Sequence, residues 1–189
     1  MQAQLAPVPT NHVTGSGRAH VTLRGNQAIV DVTVSGLLRG VPHAMHFHVN
    51  GQGACPTASA ATQLNGHTAL STTDGHPAYG MIGTSLTTSG DTSPASALAV
   101  ARFPVGGSFH YQRTITVTDD VARNIKAGKA VLVVHGIDYN GSGKFTNVLG
   151  ASDLDPKLPQ TATAPALCGV LAAPMHSGVM TPNSGQHTG

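Results

Sequence analysis

The sequence predicts an all-β chain: an antiparallel sandwich or barrel with Greek-key connections, long loops and one short helix. Three observations lead there. Only 10% of the 189 residues are charged and Glu is absent altogether, against about 25% charged in an average globular protein. Helices normally carry Glu, Lys and Arg on their wet faces, so this composition disfavours a helical architecture. Short segments then alternate apolar and polar residues between Gly, Pro and Asn punctuation. Finally, the longest stretches without a period lie beside the histidines, of which there are eleven.

Residues 1–14 are rich in Pro and Ala and read as an extended N-terminal arm. The domain is expected over 15–172. Arg18–Arg24 and Gln27–Ser35 are two strands joined at the turn signal Gly25-Asn26. In the second, Ala28, Val30, Val32 and Val34 share one face and Asp31, Thr33 and Ser35 the other, which is the pattern of a half-buried strand. A third strand is expected around Ala44–Val49. Residues 50–80 hold no sustained period and are too long for a passive turn, so they read as a functional loop. Met81–Thr88 and Tyr111–Thr118 are further strands, the latter with Tyr111, Arg113, Ile115 and Val117 on one face. Asp119-Asp120 reads as the acidic cap of a short helix, with Val121 and Ile125 one turn apart and Gly128 as its stop. Ala130–Val134 is a continuous apolar run, hence a buried strand, and it leads into His135. Residues 138–165 form a second long loop. Ala166–Ala172 closes the domain, and 173–189 read as a flexible C-terminal tail.

Several function classes are excluded at this level. The net charge is +2 and the basic residues are scattered, so there is no basic stripe for nucleic acid. No apolar run reaches the roughly 18 residues of a membrane span. Trp is absent and aromatics make up 4%, too few for platforms that stack on sugars or bases. Cys55 and Cys168 are too far apart for a CxxC pair. They are either two buried thiols or one long-range disulfide, and the polar, Lys-poor composition favours the bridge and an exported protein. The start, Met1-Gln2-Ala3-Gln4, lacks the basic and apolar regions of a signal peptide, so a secreted or cell-surface chain without its leader is expected.

His46-Phe47-His48 is the sharpest local feature. On a strand, residues two apart face one way, so both imidazoles share a side opposite Phe47 and Val49. Two such rings with a third from elsewhere suit copper or zinc. His135, at the end of an apolar run, needs a buried partner, and a metal is one. His43 is placed to orient a ligand from behind.

His43-Ala44-Met45-His46-Phe47-His48, Cys55, Val133-Val134-His135-Gly136 and Leu167-Cys168-Gly169-Val170-Leu171 resemble, in order, the motifs of Cu/Zn superoxide dismutases. The resemblance extends to the related CHRD-domain proteins, with Gly15–Gly17 as their Gly-Ser-Gly start. It covers about 15–172. It implies a Greek-key β-barrel of about eight strands, a Cys55–Cys168 bridge, and copper on His46, His48 and His135, the catalytic set. The family's zinc site takes three His and an Asp, whereas here the corresponding loop supplies only His67, His76 and Asp74. Zinc is therefore expected to bind weakly or not at all, with His67 either a fourth copper ligand, as in copper-only relatives, or a plain loop residue. The family also places an arginine three residues before the last-strand cysteine to guide superoxide. Here that position is Pro165, so dismutation is expected to be slow.

Two weaker patterns remain. Asp138, Asn140 and Ser142, followed by glycines, open like a calcium loop, with Asp153 or Asp155 standing in for the missing terminal Glu. The alternative is a plain Asp/Asn/Gly turn. Met175, His176, Met180 and His187 in the tail are a loose copper-ligand set or plain tail residues. The sequence thus points to an exported copper-binding protein acting on superoxide, with copper storage or delivery as a variant. The alternative is a non-enzymatic CHRD-like module of the cell surface that self-associates through poorly protected strands as a homo-oligomer or surface assembly.

Overall fold

The computed structural model describes residues 1–174; the tail ligands Met175, His176, Met180 and His187 lie outside them. Among the described residues there are ten strands: β1 (Gln2–Pro7), β2 (Ser16–Arg24), β3 (Gln27–Ser35), β4 (Met45–Asn50), β5 (Thr62–Leu64), β6 (His67–Ala69), β7 (Gly80–Ser85), β8 (Phe109–Thr116), β9 (Val131–His135) and β10 (Pro165–Val170). Eight of them form one curled antiparallel sheet in the order β7-β4-β9-β10-β1-β2-β3-β8, and β5-β6 is a separate hairpin. The sheet ends approach through side chains. The Tyr111 hydroxyl and the Arg113 guanidinium on β8 both donate to the carbonyl of Thr87, just past β7.

The stretch expected as an arm ahead of the domain is instead part of the sheet. Its first half is β1, paired with both β2 and β10, and Ala3 and Leu5 enter the core. Its Pro residues mislead because they sit at and just beyond the end of the strand, where no ladder donor is required.

The interior follows from the period of two. Val30, Val32 and Val34 of β3 face Met45, Phe47 and Val49 of β4 and Leu132 and Val134 of β9 within one cluster. The apolar run of β9 is explained by burial on both faces. Leu132 and Val134 point inward, while Val131 and Val133 point outward into a second cluster with Val8, Leu70, Tyr79 and Cys168.

What covers that outer face is the segment over 50–80, expected as a functional loop without a period. It contains the β5-β6 hairpin and a helix, α1 (Thr72–Tyr79). The helix escapes a propensity reading because it carries Gly75 and Pro77, yet Ser71 and Asp74 form a capping box at its start, a spacing visible in the sequence. A disulfide joins Cys55 to Cys168 with an S–S distance of 2.00 Å and straps this segment onto β10. The helix α2 (Asp119–Lys126) is where expected, but its cap is Thr118, whose hydroxyl accepts from Val121 N–H, and the two Asp lie in the first turn. A third short helix, α3 (Gln160–Thr163), lies in the second long loop.

Candidate metal centre

His46 and His48 lie on the outward face of β4, opposite Val133 and Val131 of β9. His135 ends β9 two residues beyond Val133, so its ring is the diagonal neighbour of His46. Ring centroids are 5.0 Å apart for His46 and His135, 5.8 Å for His46 and His48, and 5.9 Å for His48 and His135. One ring nitrogen from each lies within 4.8 Å of the others. The side chains point away from the sheet interior, as the alternation predicts. They are nonetheless buried, at 2%, 0% and 2% exposure, because α1 and two loops cover them.

Each ring is held by one main-chain carbonyl. His46 Nε2 lies 3.0 Å from the Ala97 oxygen, His48 Nδ1 2.9 Å from the Gly80 oxygen, and His135 Nδ1 2.7 Å from the Thr163 oxygen. A carbonyl only accepts, so the facing nitrogen carries the proton and the opposite nitrogen of a neutral imidazole carries the lone pair. Those opposite atoms, His46 Nδ1, His48 Nε2 and His135 Nε2, are all buried without a hydrogen-bond partner. Three unpartnered lone pairs gathered in one buried spot are costly unless a cation takes them. Burial, reinforced by the neighbouring imidazoles, holds all three rings neutral. His46 lies well below its usual value, His48 is lowered to about 3, and His135 to about 4. Neutral rings are the ligating form.

The carbonyl partners come from three separate segments. Ala97 sits on the loop after β7, whose shape is set by Asp91 accepting from Ser93 and Ser96 and by Arg102 donating to Ser89 and Ser96. Gly80 is the cap of α1 at φ +86, and a Cβ there would collide with the Val49 main-chain oxygen, so only glycine brings this carbonyl to His48. Thr163 belongs to α3, and its carbonyl also accepts from the Thr72 hydroxyl of α1. Tyr79 packs edge-on against His48 with centroids 4.4 Å apart and donates to Thr72 O. Asn11 ties three elements together: its amide donates to Leu70 O and Pro165 O while its oxygen accepts from Leu70 N–H. None of these supporting groups, Asn11 least of all, carries a signal in the sequence beyond the capping box.

The remaining expected ligands are placed elsewhere. His43 is fully buried behind the site, with its ring nitrogens 2.9 Å from the main-chain oxygens of His135 and Leu38. His67 does not reach the triad. It is exposed on β6 with its ring edge-on to Tyr139, because the hairpin turns it outward. Asp74 accepts from Ser71 N–H, the Ser71 hydroxyl and the Thr62 hydroxyl, all through Oδ2, and is not grouped with the triad. His76, half-buried on α1, stands 6.5 Å from His48 between ring centroids, outside the triad. The expected calcium-loop residues make local contacts. The two oxygens of Asp138 accept from the N–H groups of Ser142 and Gly143, and the Ser142 hydroxyl donates to Lys144 O. Asp153 is turned to Thr73 and Gln160, and Asp155 to Lys157 N–H. Asn140 lies in a turn.

No protein-family model matches the chain, and no curated protein matches it.

Proposed function

We propose that this chain is an extracytoplasmic copper-binding protein of the Cu/Zn superoxide dismutase-like type, which converts superoxide slowly. The observation that carries the reading is the set of three lone pairs, each fixed by a carbonyl on the far side of its ring. By intrinsic affinity a nitrogen site ranks copper(II) above the other divalent first-row metals, and imidazole suits both copper and zinc. Supporting it are the order of the four motifs, the bridge from the loop after β4 to the last strand, and the strand order of the sheet. The crossing of β4 between β7 and β9 fits Greek-key connections.

Bound copper would supply one-electron exchange, by which two superoxide anions and two protons give dioxygen and hydrogen peroxide. The chain's own part is to keep the rings neutral, fix their tautomers and restrict access. Pro165, where the resembling family has its guiding arginine, is buried opposite His135 in the β9–β10 pairing and offers no cation. Steering of an anion is worth about 10–10³-fold in association rate, so turnover should fall well below the diffusion ceiling.

A second reading has one observation in its favour. β7 is an edge strand and its Met81 is 61% exposed, which suits a self-associating CHRD-like module.

The test is copper content after equilibrium loading, followed by pulse-radiolysis turnover. Near-stoichiometric copper is expected, lost in His46→Ala/His48→Ala and in the single variant His135→Gln, which better preserves packing. Unchanged copper in both variants overturns the site. Full copper with no turnover favours the second reading or copper storage.

A further inference from the structure

The charges around the triad are unevenly distributed. The three ring nitrogens that gather there belong to neutral imidazoles, and among the described residues no carboxylate oxygen joins them. The groups behind the rings are neutral as well. All three are main-chain carbonyls, of Ala97, Gly80 and Thr163, where a carboxylate would raise the basicity of a ligating imidazole. The acidic side chains of the surrounding segments are turned to other donors. Asp153 accepts from Thr73 N–H through one oxygen and from the Gln160 amide through the other. Asp74 accepts from Ser71 and Thr62, and Asp155 from Lys157 N–H. What adjoins the open side of the site is basic. The pocket beside His46 and His135 shares Phe145 and Leu158 with a groove lined by Lys144 and Lys157. His76, the next imidazole, stands outside the group, so the described residues fix three donors and no fourth.

This arrangement bears on the charge of the cation that the triad holds best. Desolvating an ion costs in proportion to the square of its charge, whereas its attraction to neutral lone pairs grows only with the first power. Buried neutral donors without a compensating anion therefore discriminate against a dication. Copper(I) accepts three donors, while copper(II) seeks a tetragonal set. We infer that the triad is a site for copper(I), held in preference to copper(II), because the described residues bring it three neutral nitrogens and no negative charge. The inference rests on the copper reading above and adds to it the oxidation state that the chain favours.

Two competition titrations of the full chain test this, both without oxygen and at one pH and ionic strength. Bathocuproine disulfonate competes for copper(I), and nitrilotriacetate for copper(II). Copper(I) is expected to be held about 100-fold more tightly or better, on the order of one uncompensated charge at short range. Equal affinities, or tighter copper(II), overturn the inference. A second arm tests the cause. Leu98 lines the pocket together with His46 and is half-buried, so Leu98→Asp brings one carboxylate to the site. It should tighten copper(II) about tenfold or more and change copper(I) far less. Leu98→Asn, of the same shape without the charge, should keep the ratio of the unaltered chain. The same ratio in both variants overturns the electrostatic cause. Uptake of neither ion by the unaltered chain overturns the copper reading itself, a result distinct from tight binding of copper(II).

Discussion

The His43 ring lies 2.9 Å, through Nδ1, from the main-chain carbonyl of His135. It thereby links the connection after β3 to the last peptide of β9, and through it to the ring that meets Thr163. His43→Phe keeps the volume but removes the ring nitrogens facing the carbonyls of His135 and Leu38, to one of which a neutral imidazole donates. A loss of about 1–3 kcal/mol per unpaired group is expected, together with a copper affinity lowered about tenfold or more through the loosened ligand. A chelator competition titration reads the second effect. Unaltered affinity would reduce His43 to a packing role.

Asn11 is the second support whose removal should be felt at the site. Asn11→Asp replaces its two-bond donor with an acceptor facing the carbonyls of Leu70 and Pro165. Destabilisation of about 2 kcal/mol or more is expected from denaturant midpoints. A variant as stable as the parent would mean that these bonds are not made in solution.

The Cys55–Cys168 bridge spans 113 residues. On the chain-entropy account a loop of that length stabilises by about 4–5 kcal/mol. Thiol titration of the unfolded, non-reduced protein should find no free thiol. Reduction should lower the melting temperature and free the segment covering the triad. Detecting two thiols without reduction would remove both the bridge and the argument from it for an oxidising compartment.

Acid should destabilise the metal-free protein in a defined window. The three rings titrate near the ordinary histidine value of about 6.5 when unfolded, but His48 and His135 fall to about 3 and about 4 when folded. Above about pH 7 both states hold neutral rings and the contribution is flat. Between about 6.5 and 4 the unfolded chain takes up protons that the folded chain does not, so stability falls as the pH falls. Denaturation midpoints at pH 7.5, 6 and 5 should therefore decline steadily, with a shallower slope in His48→Gln. Equal slopes in the two proteins would show that His48 does not take part.

Much of this was legible in the residues. Strand alternation in Gln27–Ser35, the outward sharing of His46 and His48, and the helix at Val121–Ile125 all follow from periods of two and 3.6, which are local properties of the backbone. β1 was not legible, because its place between β2 and β10 depends on partners distant in the chain. The same holds for α1, whose Gly75 and Pro77 argue against a helix until the cap at Ser71–Asp74 and the packing of Tyr79 override them.

Thus the sequence by itself determined the strand class, the metal-capable histidine pair and its third candidate, because side-chain type and spacing state these directly. Only the tertiary structure decided which nitrogen of each ring is free and that His67 and Asp74 stand apart from the triad. Those outcomes depend on carbonyls of Gly80, Ala97 and Thr163 brought from three separate segments, and contacts between residues so distant in sequence exist only once the whole sheet has closed around its core.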